Sequence, residues 1–170
     1  MGTMRRSRVG SGVPFVAMAL VGLAIGACGQ AKSGQAAGSR TGAPGLDLSA
    51  AGFNVTIQAP EGAVAKKADT DVEVEKLPHF SMLIAEGKTN ISGTKAFLSG
   101  AYKQVAYPVD TPDTVVYEIR DSNPPDIGFR AVVTTGGKTY RCGSVAPKGV
   151  SFSRTDVDAM LAACRSLQAK

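Results

Sequence analysis

Gly128-Phe129-Arg130-Ala131-Val132-Val133-Thr134-Thr135-Gly136-Gly137-Lys138-Thr139-Tyr140-Arg141-Cys142 is the stretch that decides the fold. Runs rich in β-branched and aromatic residues flank Gly136-Gly137. A two-residue glycine connection suits the primed hairpin turns, because both central residues can take positive φ. The stretch predicts an antiparallel hairpin with strands over 128–135 and 138–142.

Toward the C-terminus, Ser153-Arg154-Thr155-Asp156 reads as a capping-box start, with Thr155 and Asp158 as an alternative frame. Val157, Met160, Leu161, Cys164 and Leu167 then share one helical face. Cys164 is expected to face the core, where a strand ending in Cys142 can meet it. Asp156 and Asp158 suit a helix start, whose dipole favours negative charge.

Toward the N-terminus the same hairpin extends into a meander. Strands are predicted over 105–109 and 114–120, and Pro124-Pro125 breaks the chain before 128. A short helix is predicted over 94–104, with Phe97, Leu98, Ala101 and Tyr102 on its packed face and Ser92 or Thr94 as cap. Gly100 weakens it by about 1 kcal/mol relative to alanine. Earlier strands are predicted over 80–85, 71–77 and 53–59, the last ended by Pro60-Glu61-Gly62. Strands, helix, strand meander and helix make an α+β domain over residues 46–170, with a mainly antiparallel sheet packed by a short middle helix and a C-terminal helix. In element order this resembles the Mog1/PsbP-like sandwich. The likeness is one of topology, so no function follows from it.

The chain before this domain is of another kind. Arg5, Arg6 and Arg8 precede an apolar run from Val13 to Ile25, and Leu23-Ala24-Ile25-Gly26-Ala27 leads directly into Cys28. This order resembles the signal of bacterial lipoproteins. The resemblance implies that residues 1–27 are a signal peptide cut before Cys28 and that Cys28 carries acyl chains. Secretion without lipidation and an uncleaved membrane anchor are the alternatives. The strongly apolar stretch is about 13 residues, against roughly 20 for a span. Residues after Arg5-Arg6 lack the apolar pair of twin-arginine signals. Residues 28–45, poor in large apolar side chains, read as a flexible tether of roughly 23 Å. Gly29 occupies the position where an aspartate would retain such lipoproteins in the inner membrane. The resemblance thus implies a cell-envelope location, at the outer membrane if the source has two.

Removing residues 1–27 takes away three arginines and no acids, so the net charge of +5 falls to +2. Such a balance gives no case for nucleic-acid binding, which needs a concentrated basic face. With Cys28 lipidated, Cys142 and Cys164 remain, and in an oxidising compartment they read as a disulfide; two free buried thiols are the alternative.

Chemical motifs are sparse. Gly87-Lys88-Thr89 and Gly137-Lys138-Thr139 resemble the end of a phosphate-binding loop, but Met82 and Val132 stand where its first glycine is required. His79 is the one histidine, no Gly-x-Ser-x-Gly elbow exists, and no cysteine spacing matches a zinc pattern. Glu73 and Glu75 share a strand face, which reads as a solvated face opposite Val72 and Val74. Two glycosylation sequons, at Asn54 and Asn90, carry no weight beside a bacterial signal. Tyr102, Tyr107, Tyr117 and Tyr140 offer some binding surface, without any tryptophan.

No catalytic residue, metal or cofactor is therefore expected. The leading expectation is a membrane-attached lipoprotein whose small non-catalytic domain binds an envelope protein or small ligand. An enzyme using Glu73, Glu75 or His79 at an unfamiliar site, and a structural envelope component, are the other readings.

Overall fold

The computed structural model describes residues 45–170; the predicted signal peptide, Cys28 and all of the tether but Gly45 lie outside the described residues. The domain is α+β, as the sequence predicts. Its elements are β1 (Leu46–Asp47), a 3-10 turn (Ser49–Ala51), β2 (Val55–Ile57), β3 (Val64–Ala68), β4 (Asp71–Lys76), β5 (Phe80–Glu86) and α1 (Ile91–Ala101), followed by β6 (Val105–Asp110), β7 (Thr114–Ile119), β8 (Asp126–Thr135), β9 (Lys138–Ser144), α2 (Arg154–Arg165) and β10 (Gln168–Ala169).

The decisive hairpin forms as read. Gly136 and Gly137 have φ of 57° and 76°, and Thr135 pairs with Lys138. It lies within a seven-stranded antiparallel sheet of order β3-β4-β5-β9-β8-β7-β6, flanked by a small sheet of order β1-β2-β10. Side chains alternate between faces along each strand, so register decides what each face carries. One row across the large sheet is Thr114, Ala131, Cys142, Ile84 and Val72, all buried. This face holds the main core. α2 packs on β8, β5 and β9 through Val157, Met160, Leu161 and Cys164. Leu48, Phe53, Val55 and Ile57 join the same core, with the Phe53 and Tyr140 rings 5.7 Å apart.

The α2 start is a full capping box: the Ser153 hydroxyl accepts from Asp156 N–H, and the Asp156 carboxylate accepts from Ser153 N–H. Cys142 and Cys164 are disulfide-bonded with Cα atoms 6.1 Å apart, fastening α2 to β9.

Several elements depart from the sequence reading. The middle helix begins at Ile91 rather than 94, capped by Asn90, whose Oδ1 accepts from Gly93 N–H at 2.9 Å. Its buried residues are Ile91 and Leu98, seven residues and so about two turns apart on one face. Phe97, expected on that face, is 70% exposed, and Ala101 and Tyr102 are exposed too. The strand expected over 53–59 contracts to Val55–Ile57. Its neighbours β1 and β10 are two residues each, too short to carry a periodic signal. β3 had no sequence signal, because Val64-Ala65-Lys66-Lys67-Ala68 does not alternate; pairing with β4 through five residues creates it. Lys66 and Lys67 charge this edge strand, and Pro108 lies where the β6–β7 register shifts on the other edge. Both features discourage further strand addition.

Candidate functional site

The second face of the large sheet is covered only in part. Val115 and Ile119 are buried there, as are Ile91 and Leu98 of α1, and none of the four belongs to the main core. Tyr107 and Ser99 share a hydroxyl hydrogen bond of 2.9 Å, Tyr107 Oη donates to the Lys95 carbonyl, and Lys95 pairs with Asp110. These contacts hold α1 over the β6–β7 end.

Across the rest of this face, register sets two rows. One runs Glu73, Leu83, Gly143, Arg130, and the other Asp71, Ala85, Arg141, Val132. Small residues at Ala85 and Gly143 leave a groove of about 300 Å³, lined by Asp71, Leu83, Thr89, Arg130, Arg141 and Val145 as well. One acidic side chain, Asp71, stands on its β4 wall and two basic ones, Arg141 and Arg130, on its β9–β8 wall. With strands about 4.8 Å apart, Asp71 and Arg141 are separated by roughly 10 Å of sheet.

The basic wall is built closely. A Cβ at Gly143 would lie 2.8 Å from Arg130 Cδ and Cζ, so the Arg130 side chain lies over the Gly143 backbone and only glycine admits it there. Of the described arginines and lysines, Lys95 and Arg130 alone are half-buried; the others are exposed. Lys95 is paired with Asp110, whereas among the described residues Arg130 and Arg141 enter no ion pair. Nearby, Tyr117 lies across Gly128, and burial pushes its phenol pKa up while the Arg130 charge pulls the other way.

A second, more open depression of about 450 Å³ lies at the start of α1, between Asn90, Ser92 and the Asp110–Pro112 turn. Its charged groups, Lys95 and Asp110, are paired with each other. The groove over Gly143 therefore has the free cationic chemistry.

The residues singled out in the sequence are not brought together. Glu73 and Glu75 do lie opposite the buried Val72 and Val74; Glu73 accepts from Ser81 Oγ at 3.1 Å and Glu75 pairs with Lys66, whose amine is held above its usual pKa by that partner. His79 is exposed, 3.5 Å from Asp156 at the α2 cap. Of the two Gly-Lys-Thr triplets, the first follows β5, where Gly87 N–H donates to the Thr139 carbonyl, and the second runs from the hairpin turn at Gly137 into β9, where Lys138 pairs with Glu86. Among the described residues no group of three or more His, Cys, Asp or Glu side chains is placed to hold a metal, and no helix is long and apolar enough to cross a membrane.

Arg130, Arg141 and Gly143 were missed in the sequence. One signal was present: Arg130 interrupts Phe129-Arg130-Ala131-Val132-Val133, a run that otherwise reads as a buried central strand. Compared with known proteins, the chain matches no family model and no curated protein.

Proposed function

We propose that this protein is an exported lipoprotein, anchored through acylated Cys28 and tethered by residues 28–45. Its folded domain acts as a non-catalytic binding module at the cell envelope, and its ligand lies in the groove over Ala85 and Gly143. The signal-like order of residues 1–28 supports the anchoring. The binding role rests on one observation: a half-buried arginine in no ion pair lines a groove on a partly uncovered sheet face. Burying part of a charge costs desolvation that an ion pair normally offsets. Folding alone gives no reason to keep Arg130 in that state. Gly29 supports outer-membrane placement where the source has two membranes.

Two measurements test the two halves. Cys28→Ser should leave the domain folded but release it from membrane fractions, because acyl chains contribute about 0.8 kcal/mol per buried methylene. A fatty-acid analogue should label the wild type alone; equal labelling of the serine variant would place the anchor elsewhere. For binding, small-molecule and lipid extracts of the envelope should be titrated into the full chain in non-ionic detergent. Amide shifts concentrated at Leu83, Ala85 and Gly143 are expected. Shifts confined to other surfaces, or absent, would overturn the assignment of this face.

A further inference from the structure

We propose that Arg130 and Arg141 together bind the carboxylate or phosphate of a small organic anion, whose apolar body rests on Leu83, Ala85 and Val145. This deepens the reading that the groove is the binding site, and rests on it.

The geometry supplies the argument. Arg130 pairs in register with Gly143, and Arg141 is two residues from Gly143 along β9. The two arginines are thus diagonal cross-strand neighbours, about 7–8 Å apart at the backbone and within reach of one another's side chains. Like charges so placed repel unless an anion lies between them. Gly143 lets Arg130 lie down on the sheet rather than extend into water, which keeps its planar fork beside the groove. A guanidinium held in this way suits two parallel hydrogen bonds to a carboxylate or phosphate, which a lysine cannot reproduce. The Thr89 hydroxyl borders the same groove and can add a donor.

The remaining lining selects against other ligands. Leu83, Ala85 and Val145 provide an apolar floor, and Val145 is 39% exposed. Asp71 lines the distant β4 edge, about 10 Å of sheet from Arg141, where it disfavours a second negative group. A groove of about 300 Å³ is at the small end of ligand sites, which favours one compact molecule or a single headgroup over a polymer. A free organic acid and a phospholipid headgroup share this chemistry, and a domain tethered to a bilayer would meet both.

The test uses the full chain in non-ionic detergent, followed by amide shifts. Hexanoate and hexyl phosphate should shift Arg130, Arg141 and Gly143 saturably, and hexylammonium should not. Arg130→Gln should weaken hexanoate binding at least tenfold, Arg130→Lys less, and Lys148→Gln not at all. Arg141 is exposed, so Arg141→Gln should leave folding intact and still weaken binding several-fold, which guards against a folding defect in the Arg130 variants. Nanodiscs separate the two sources. Shifts at Gly143 on adding phosphatidylglycerol to phosphatidylcholine discs, without any soluble probe, identify a headgroup; shifts with hexanoate alone identify a free acid. Equal response to hexylammonium, unchanged hexanoate affinity in both arginine variants, or no saturable shift with any anion would overturn the inference. The groove assignment survives those results if envelope extract still shifts Leu83, Ala85 and Gly143, and falls with the inference if it does not.

Discussion

Removing the Cys142–Cys164 bond is the perturbation whose size the structure fixes best. The bond closes a loop of 22 residues between the central strand β9 and the helix α2. In the chain-entropy description, such a loop restricts the unfolded chain by an amount worth about 3 kcal/mol at 25 °C. Unfolding a domain of this size gains roughly 0.25 kcal/mol per kelvin of entropy, from about 2.1 cal/mol/K per residue. The expected fall in Tm is therefore about 10–15 °C. Both cysteines are buried and surrounded by Val157, Met160 and Ile84 neighbours of the main core, so loss of one sulfur also leaves a small cavity. That adds to the fall rather than offsetting it. The assay is thermal unfolding of the oxidised chain beside Cys142→Ala, Cys164→Ala and the double variant. Both single variants should melt near the same temperature. The double should cost little more, because the bond is already gone after the first change. Peptide mapping without reductant should recover a single linked pair. Free thiols in the folded protein prepared under oxidising conditions, or a Tm change below about 3 °C in every variant, would refute the reasoning, since the bond would then be absent or would not restrain the unfolded chain.

Other outcomes follow from single contacts. Ser153→Ala removes the side-chain half of the α2 capping box and should cost about 1 kcal/mol in chemical denaturation, with the same denaturant slope. Burial alone would push the Asp156 carboxyl up, but the Ser153 hydroxyl and amide, with His79, hold it below the ordinary aspartate range. A lowered carboxyl stabilises the fold above its unfolded pKa and loses that contribution as pH falls through the folded one. The Tm of the wild type should therefore drop as pH falls below about 4, and Asp156→Asn should flatten that part of the profile. Gly128→Ala would put a methyl 2.5 Å from Tyr117 Cζ and 2.8 Å from Ser144 Oγ, the atom that accepts from Phe129 N–H. It should destabilise the domain by roughly 1–3 kcal/mol, and near-ultraviolet circular dichroism should report the displaced tyrosine; a neutral substitution would show that Tyr117 is free to move aside.

Local chemistry made much of this protein legible in its sequence. The Gly136-Gly137 turn dictates its own hairpin, because two consecutive residues with positive φ close two strands without help from elsewhere. Ser153 and Asp156 cap a helix through contacts three residues apart, and the spacing of Val157, Met160, Leu161 and Cys164 fixes which face it buries. These signals are periodic or short-range, so they survive in the linear chain. Tertiary structure decided what such signals do not encode. β3 is a strand only because β4 offers it a partner, and β1 and β10 are strands because each pairs with β2, beside which Lys170 reaches Asp47. Phe97 is exposed because α1 packs through Ile91 and Leu98, and Phe97 points about 100° away from that line around the helix. The groove belongs to the same class. Asp71, Ala85, Gly143, Arg130 and Arg141 come from four strands, and register alone sets them side by side. Neither the lone arginine of β8 nor the glycine of β9 has meaning by itself; the site exists because a one-residue shift in pairing would turn every one of these side chains to the other face.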